Sequence, residues 1–196
     1  AVDIEFAAEL GYRIKLLGTA RMTAAGLEQR LHPAMVKKDA PIARVDGVFN
    51  AVGVDAEPVG LVMQEGRGAG GGPTASAVVA DLVDLGRGNR LPAFGVPSSL
   101  LVDHAMAPMS EHRGCYYIRL MVLDQPGVLA DVAAVLRDQE VSIEALIQRA
   151  RNPNQPVPIV LTSHQTVEAR MTAAMDAIGA LATVIEPPRM IRIEED

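Results

Sequence analysis

The order in which hydrophobic periodicity switches along residues 115–196 leaves little choice of fold. Tyr116 to Leu123 alternates as a strand, with Ile118, Leu120 and Val122 on one face. Gly127 then opens a helix whose Val128, Leu129, Val132, Val135 and Leu136 recur at helical spacing. Val141 to Arg149 reads as a second strand, Asn152-Pro153-Asn154-Gln155-Pro156 as a turn, and Val157 to Thr162 as a third strand. Val167, Met171, Ala174, Met175, Ile178 and Leu181 stripe a second helix, and Met190 to Ile193 closes as a fourth strand. The order βαββαβ predicts a ferredoxin-like module.

The first half predicts antiparallel pairing rather than a parallel βαβ array. Asp3 is an expected N-cap, Ile4, Ala7, Ala8 and Leu10 form a short helical stripe, and Gly11 stops it. Ile14, Leu16 and Gly18 alternate with Lys15, Leu17 and Thr19. Asp46-Gly47 is a hairpin-type turn before Val48 to Val54, and Asp55 to Pro58 turns the chain into a returning strand, Val59 to Gln64. These strands are expected to make one sheet at the core of this half. A helix comes next, over Ala75 to Leu85, with Pro73 in its first turn and Gly86 as C-terminal cap. Pro92, Pro97, Ser98-Ser99, Pro108 and the polar run Ser110 to Gly114 read as connection, with a short strand expected at Leu100 to Val102. The whole is an α+β chain: a mixed or antiparallel sheet with helices, then the ferredoxin-like module.

Composition removes several functions. The formal net charge of −6 disfavours nucleic acid or an anionic membrane as main partner. No apolar run approaches the roughly 18 residues of a membrane-spanning helix. Ala1-Val2-Asp3-Ile4-Glu5 is no signal peptide, and a single cysteine, Cys115, points to a reducing cytoplasm. His32, His104, His112 and His164 are scattered, so no metal site is expected. The chain lacks an initiating methionine and opens as if inside a helix, which predicts a piece of something longer.

Two loops could meet a ligand. Gly66, Gly68 and Gly71 satisfy G-x-G-x-x-G between a strand and a helix, where a backbone without Cβ atoms can approach a phosphate or a ring. A dinucleotide fold also needs a second parallel strand with a ribose-binding acid about twenty residues on; here Asp81 and Asp84 fall inside the helix. The loop is either a tight turn, which permissive glycines allow, or ligand-facing, and the ligand-facing reading is preferred. The other loop, Asp124-Gln125-Pro126-Gly127, leads into a helix N-terminus that offers unpaired N–H groups to a carboxylate; a plain turn capped by Asp124 reads it equally well. No nucleophile–base pair can be assembled: Ser76 and Ser142 lack an elbow motif, Cys115 reads as a packed or half-exposed thiol, and Lys15 as a solvent-facing strand residue. Tyr116 and Tyr117, placed at the edge of the expected sheet, are too few aromatics for an RNA-stacking surface.

Two stretches carry a family resemblance. Ala8-Glu9-Leu10-Gly11-Tyr12-Arg13-Ile14-Lys15-Leu16-Leu17-Gly18, Val45 to Val52, and Gly66-Arg67-Gly68-Ala69-Gly70 with Pro73-Thr74-Ala75 and Ala80-Asp81-Leu82 resemble bacterial homoserine dehydrogenase. Leu120-Met121-Val122-Leu123-Asp124-Gln125-Pro126-Gly127-Val128-Leu129-Ala130 resembles an ACT domain. The resemblance implies three parts: 1–96 as the end of the catalytic and dimerisation domain, 97–114 as linker, and 115–196 as ACT regulatory domain. It also implies an NAD(P)-dependent oxidoreductase that interconverts L-aspartate 4-semialdehyde and L-homoserine on the way to threonine, methionine and isoleucine. The family's nucleotide domain, acidic substrate contacts and catalytic lysine fall upstream of residue 1, so no catalytic residue and no tightly bound cofactor are expected in this chain. Ala40 stands before Pro41 where the family often has His.

Carried over by motif, Gly66, Gly68, Ala69 and Gly70 would approach the nicotinamide end of NAD(P). Asp124, Gly127, Val128 and Leu129, with Ile143 on a facing strand across a pair of ACT domains, would bind an amino-acid effector, L-threonine as feedback inhibitor. A homo-oligomer formed through sheet edges and ACT domains is expected. The rivals are a stand-alone, non-enzymatic amino-acid sensor and a dimerisation module.

Overall fold

The computed structural model describes residues 2–90, 92, 94–149 and 155–194, so the turn expected at Asn152-Pro153-Asn154 lies outside the described residues. The chain forms two compact units, residues 1–38 with 105–196, and residues 39–104. The first contains helix α1 (Val2–Glu9), strands β1 (Tyr12–Thr23) and β2 (Gly26–Lys37), and the ferredoxin-like elements. The second contains strands β3 (Phe49–Ala56) and β4 (Gly60–Arg67) and helix α2 (Gly71–Arg87).

The expected βαββαβ order is present: β5 (Arg113–Leu123), α3 (Val128–Asp138), β6 (Ile143–Gln148), β7 (Pro156–Ser163), α4 (Glu168–Gly179) and β9 (Arg189–Glu194), with a two-residue β8 (Thr166–Val167) beside the start of β5. The strands lie in the order β9-β5-β7-β6, each neighbour antiparallel. Alternation on β5 divides its side chains between two cores. Tyr116, Ile118, Leu120 and Val122 face Val128, Val132 and Leu136 of α3 and Met171, Ala174 and Ile178 of α4. Cys115 and Tyr117 face the other way, into a core with Phe6, Ala7, Met35, Val160 and Ile193. Tyr116 and Tyr117 thus lie fully buried on a central strand, not at an edge, and Cys115 is a buried thiol.

The N-terminal segment builds that second core. α1 lies on the sheet face opposite α3 and α4, and Asp3 sits inside the helix rather than capping it. Its carboxylate accepts hydrogen bonds from Arg119 Nε at 2.6 Å and Tyr117 Oη at 2.9 Å. Burial pushes the Asp3 carboxyl up, but those two bonds and the Arg119 charge outweigh it and hold it below the usual carboxylate value. Gly11, at φ +86°, ends the helix as expected. β1 then pairs with β2 along all twelve residues, and β2 runs parallel to β9 over Ala34 to Val36. β2 escaped the sequence reading because Pro33, which lacks an N–H, interrupts its pattern; it pairs with Leu16 of β1. The connection returns beside β2, where Leu27 N–H donates to Ala105 O and Ala107 N–H to Leu27 O. Gly26 is required there: at φ +124° a Cβ would collide with the Ala105 carbonyl.

The single first-half sheet expected from sequence does not form. β1 and β2 extend the ferredoxin-like sheet, while β3 and β4 make a separate ribbon. Two smaller expectations also change. Leu100 to Val102 is not a strand, and Ser98–Leu100 forms a 3-10 turn instead. α2 ends at Gly88, in the left-handed region, rather than at Gly86. The sequence-family division at 1–96, 97–114 and 115–196 therefore runs across the physical one, since residues 1–38 pack with the second half.

A buried polar network joins β2 to the ferredoxin-like elements. Arg30, 4% exposed along its side chain, donates to Glu194 Oε2 at 2.6 Å and Oε1 at 2.8 Å and also pairs with Glu28. His112 Nδ1 lies 3.1 Å from Glu28 Oε2, and the His112 carbonyl accepts the Glu168 N–H at 2.8 Å. Glu168 in turn accepts from Tyr116 Oη at 2.8 Å and Arg192 Nε at 2.9 Å. Burial, then the Arg30 charge, holds His112 below the ordinary histidine value, and burial does the same for His32.

Two outcomes are expected. Glu168→Ala strands Arg192 and the Tyr116 hydroxyl and should cost about 3–5 kcal/mol in urea unfolding. Because folded His112 and His32 bind protons less readily than the unfolded chain, stability should fall as pH drops below the ordinary histidine value of 6.5. Thermal melts from pH 8 to 5 check the sign, and His112→Gln should flatten part of the slope.

Candidate functional site

Register explains the glycine loop. The β3–β4 ribbon sets Asn50 opposite Gly66 and Phe49 opposite Arg67, whose guanidinium lies 5.4 Å from the Phe49 ring centre. The ribbon ends where Gly68 N–H donates to Val48 O at 3.2 Å. Gly70 precedes α2 with φ +122°, a conformation that side chains rarely adopt, and its carbonyl accepts the Thr74 N–H at 3.1 Å. Gly66, Gly68, Ala69 and Gly70 are all exposed. A Cβ at Gly66 would meet open space, so backbone there is approachable from outside.

Gly68 differs. A Cβ there would meet the Asn50 side-chain amide, so a residue larger than glycine at 68 requires the exposed Asn50 side chain to swing aside. Sequence reasoning missed Asn50 because its place against Gly68 depends on strand register. Its one available signal was its position in the motif Val45 to Val52.

The second loop joins β5 to α3. Asp124 is half-buried, and its N–H donates to Gln155 O at 3.1 Å. Gly127, at φ +97°, caps α3 without a side-chain bond, and its carbonyl accepts Asp131 N–H at 2.9 Å. Val128 is buried beneath the turn, while Leu129 is partly exposed beside it. The first-turn N–H groups of an α-helix have no partner within the helix, and here they open beside an exposed Gly127.

Four of the five expected effector residues are therefore together. Ile143 is not among them within one chain. It pairs with Ser163 at the start of β6, whereas the turn comes after Leu123, which pairs with Pro156. α3, eleven residues long and hence about 16 Å, separates the two levels. Ile143 packs against the α3/α4 core instead.

Lys15, expected on a solvent face, is half-buried on β1. Among the described residues no three His, Cys, Asp or Glu side chains form a group able to hold a metal ion, and no helix is long and apolar enough to cross a membrane.

Comparisons with known proteins divide the chain in two. Residues 1–83 match the homoserine dehydrogenase family model, and residues 116–183 match the ACT domain model. Curated relatives named homoserine dehydrogenase include one from Neisseria gonorrhoeae, 44% identical over 98% of this chain and 46% of the relative. Another, from Pseudomonas aeruginosa, is 42% identical over the whole of this chain and 46% of its own length. A solved homoserine dehydrogenase from Thiobacillus denitrificans superimposes with a TM-score of 0.86 at 42% identity, covering 99% of this chain and 45% of that one. The chain spans about half the length of the relatives it matches.

The Gly68–Asn50 contact can be tested directly. Gly68→Ala should destabilise the protein by no more than about 1 kcal/mol, because the exposed Asn50 side chain can swing aside. Asn50→Ala should restore most of it, giving a non-additive double-mutant cycle in thermal melts. Additive losses would mean that Asn50 gives way freely.

Proposed function

This chain joins a homoserine dehydrogenase domain segment, residues 1–83, to an ACT domain, residues 116–183, and on that premise we propose that it works within a homoserine dehydrogenase whose ACT domain senses L-threonine. The reaction is the interconversion of L-aspartate 4-semialdehyde and L-homoserine with NAD(P). The observation that carries this reading is the end-to-end match to homoserine dehydrogenases above 40% identity, which keeps the glycine loop and the ACT turn in one chain.

Homoserine dehydrogenases use NAD(P), and the nicotinamide supplies or takes the hydride. The glycine loop suits a supporting part. Gly66 and Gly70 leave exposed main chain without a Cβ, and Ala69 adds only a methyl, so a flat ring can approach there. Gly68 holds the loop to the ribbon through its N–H bond to the Val48 carbonyl. The chain contributes shape and hydrogen-bonding backbone, and the proton-transferring group is assigned to the part of the enzyme that these 196 residues do not include.

In the ACT half, the α3 N-terminus and the turn Asp124 to Leu129 suit an amino acid's two charges. The N–H groups favour its carboxylate, and the acidic Asp124 favours its ammonium. Ile143 joins them only from a second copy, which supports pairing through β6, an outer strand of the sheet. We assign the enzyme to the cytoplasm, with a homo-oligomer as its working form.

Calorimetry with L-threonine, against L-serine, L-methionine and L-isoleucine, tests the sensing half. Selective, saturable heat is expected with threonine, and Asp124→Ala should weaken it by about tenfold, the loss of one charge-assisted contact. Silence with all four amino acids would leave the ACT domain as an assembly module. The purified chain alone should not oxidise NAD(P)H with the semialdehyde; turnover would overturn the assignment of catalysis to the rest of the enzyme.

A further inference from the structure

We infer that α1 is the element that reads the state of the ACT sheet and passes it to the β1–β2 hairpin. The inference rests on the amino-acid-sensing reading above, and it assigns a regulatory part to residues in the dehydrogenase segment. α1 lies across the sheet face opposite the effector-side helices, and polar contacts hold it at both ends. At its first turn Asp3 accepts from Arg119 Nε at 2.6 Å, Arg119 Nη2 at 3.3 Å and Tyr117 Oη at 2.9 Å. Arg119 stands on β5 five residues before Asp124, on the strand that leads into the effector turn. At its last residue Glu9 pairs with Arg149, just past β6, and the same guanidinium lies 4.3 Å from the centre of the buried Phe6 ring.

These contacts tie the helix to two different strands. β5 is central, whereas β6 is an outer strand of six residues with a register shift between Ile143 and Ala145. An effector held between the β5–α3 turn of one copy and β6 of another would load β5 and β6 of each copy through different contacts, so Arg119 and Arg149 are displaced separately and α1 must move with them or release one end. The hairpin is fixed to the end of α1. Gly11 turns the chain directly into β1, and its carbonyl accepts the Lys38 N–H at 2.9 Å, so the helix end, the start of β1 and the end of β2 move together. A merely structural lid would need the buried Phe6 and Ala7, but not ion pairs to two strands that an effector could displace differently.

Hydrogen exchange of the α1 amides, with and without saturating L-threonine, tests this in the chain as it stands. The wild type should show a change of about threefold or more in α1 exchange on binding. In Arg149→Met, and separately in Glu9→Gln, that response should be lost while the calorimetric affinity shifts by less than about threefold. Arg149 and Glu9 are both nearly half exposed, so either variant should fold, and one serves if the other does not. Saturable binding with unchanged α1 exchange would overturn the inference and leave threonine sensing in place. An α1 response that survives both variants would also overturn it, and absence of threonine binding would overturn both readings.

Discussion

The Arg30 guanidinium, buried between Glu28 and Glu194, is the interaction on which the rest of this architecture depends. A guanidinium out of water is costly unless its donors are filled, and here two carboxylates from two parallel strands fill them. Glu28 carries the network to His112, whose carbonyl receives the Glu168 N–H. Glu168 carries it on to Tyr116 and Arg192. One set of charges thus holds β2, the lead into β5, the start of α4 and β9 in register. Main-chain pairing between β2 and β9 covers only three residues, so the side chains must supply much of that seam's specificity.

The seam explains why sequence families and physical units divide the chain differently. An isolated ferredoxin-like sheet has one face covered by its two helices and the other open. In this chain the open face is covered by α1, and the β9 edge by β2, both from the segment that matches the homoserine dehydrogenase family model. Tyr117 and Cys115 are consequently core residues, although they project away from α3 and α4. Residues 1–38 of the segment similar to homoserine dehydrogenase share a hydrophobic core and a sheet with the segment similar to the ACT domain, so the two matches are not separate modules strung on a linker.

Much of this was legible in residue order. The ferredoxin-like half was readable because β5, α3 and α4 carry clean periods, and the stripe residues expected to be core, from Ile118 to Ile178, reached it or pack at its margin, apart from the exposed Leu129 and from Val167, which lies in β8 before the helix begins. The β3–β4 ribbon was readable from its turn residues, and the glycine loop and ACT turn from motif. The features that stayed hidden depended on partners distant in sequence. β2 hides behind Pro33, and its strand character comes from Tyr12 to Thr23 lying alongside. Asp3 looks like a cap until Arg119, 116 residues on, takes its carboxylate. Gly68 looks reserved for a ligand until register brings Asn50 against it. Glu28, Arg30, His112 and Glu168 look like ordinary surface residues in any local window.

The two chain crossings between the compact units both lie beside β2. One crossing comes after Lys38, just past the C-terminal end of β2. The other precedes Ala105, whose carbonyl is bonded to Leu27 at the N-terminal end of the same strand. Residues 39–104 are thus tethered by both ends to β2, and their own core is slight: β3, β4 and α2 contain no buried residue, and Val52, Val54, Leu61, Val78 and Leu82 face outward. The glycine loop lies on the same unit. β2 is held rigidly by the Arg30 network on one side and by β1 along twelve residues on the other. Gly11, where β1 begins, accepts the Lys38 N–H, so the end of α1 and one tether of residues 39–104 meet at the same point. Sharing a sheet therefore keeps the end of β5 and the end of β2 within one hydrogen-bonded framework.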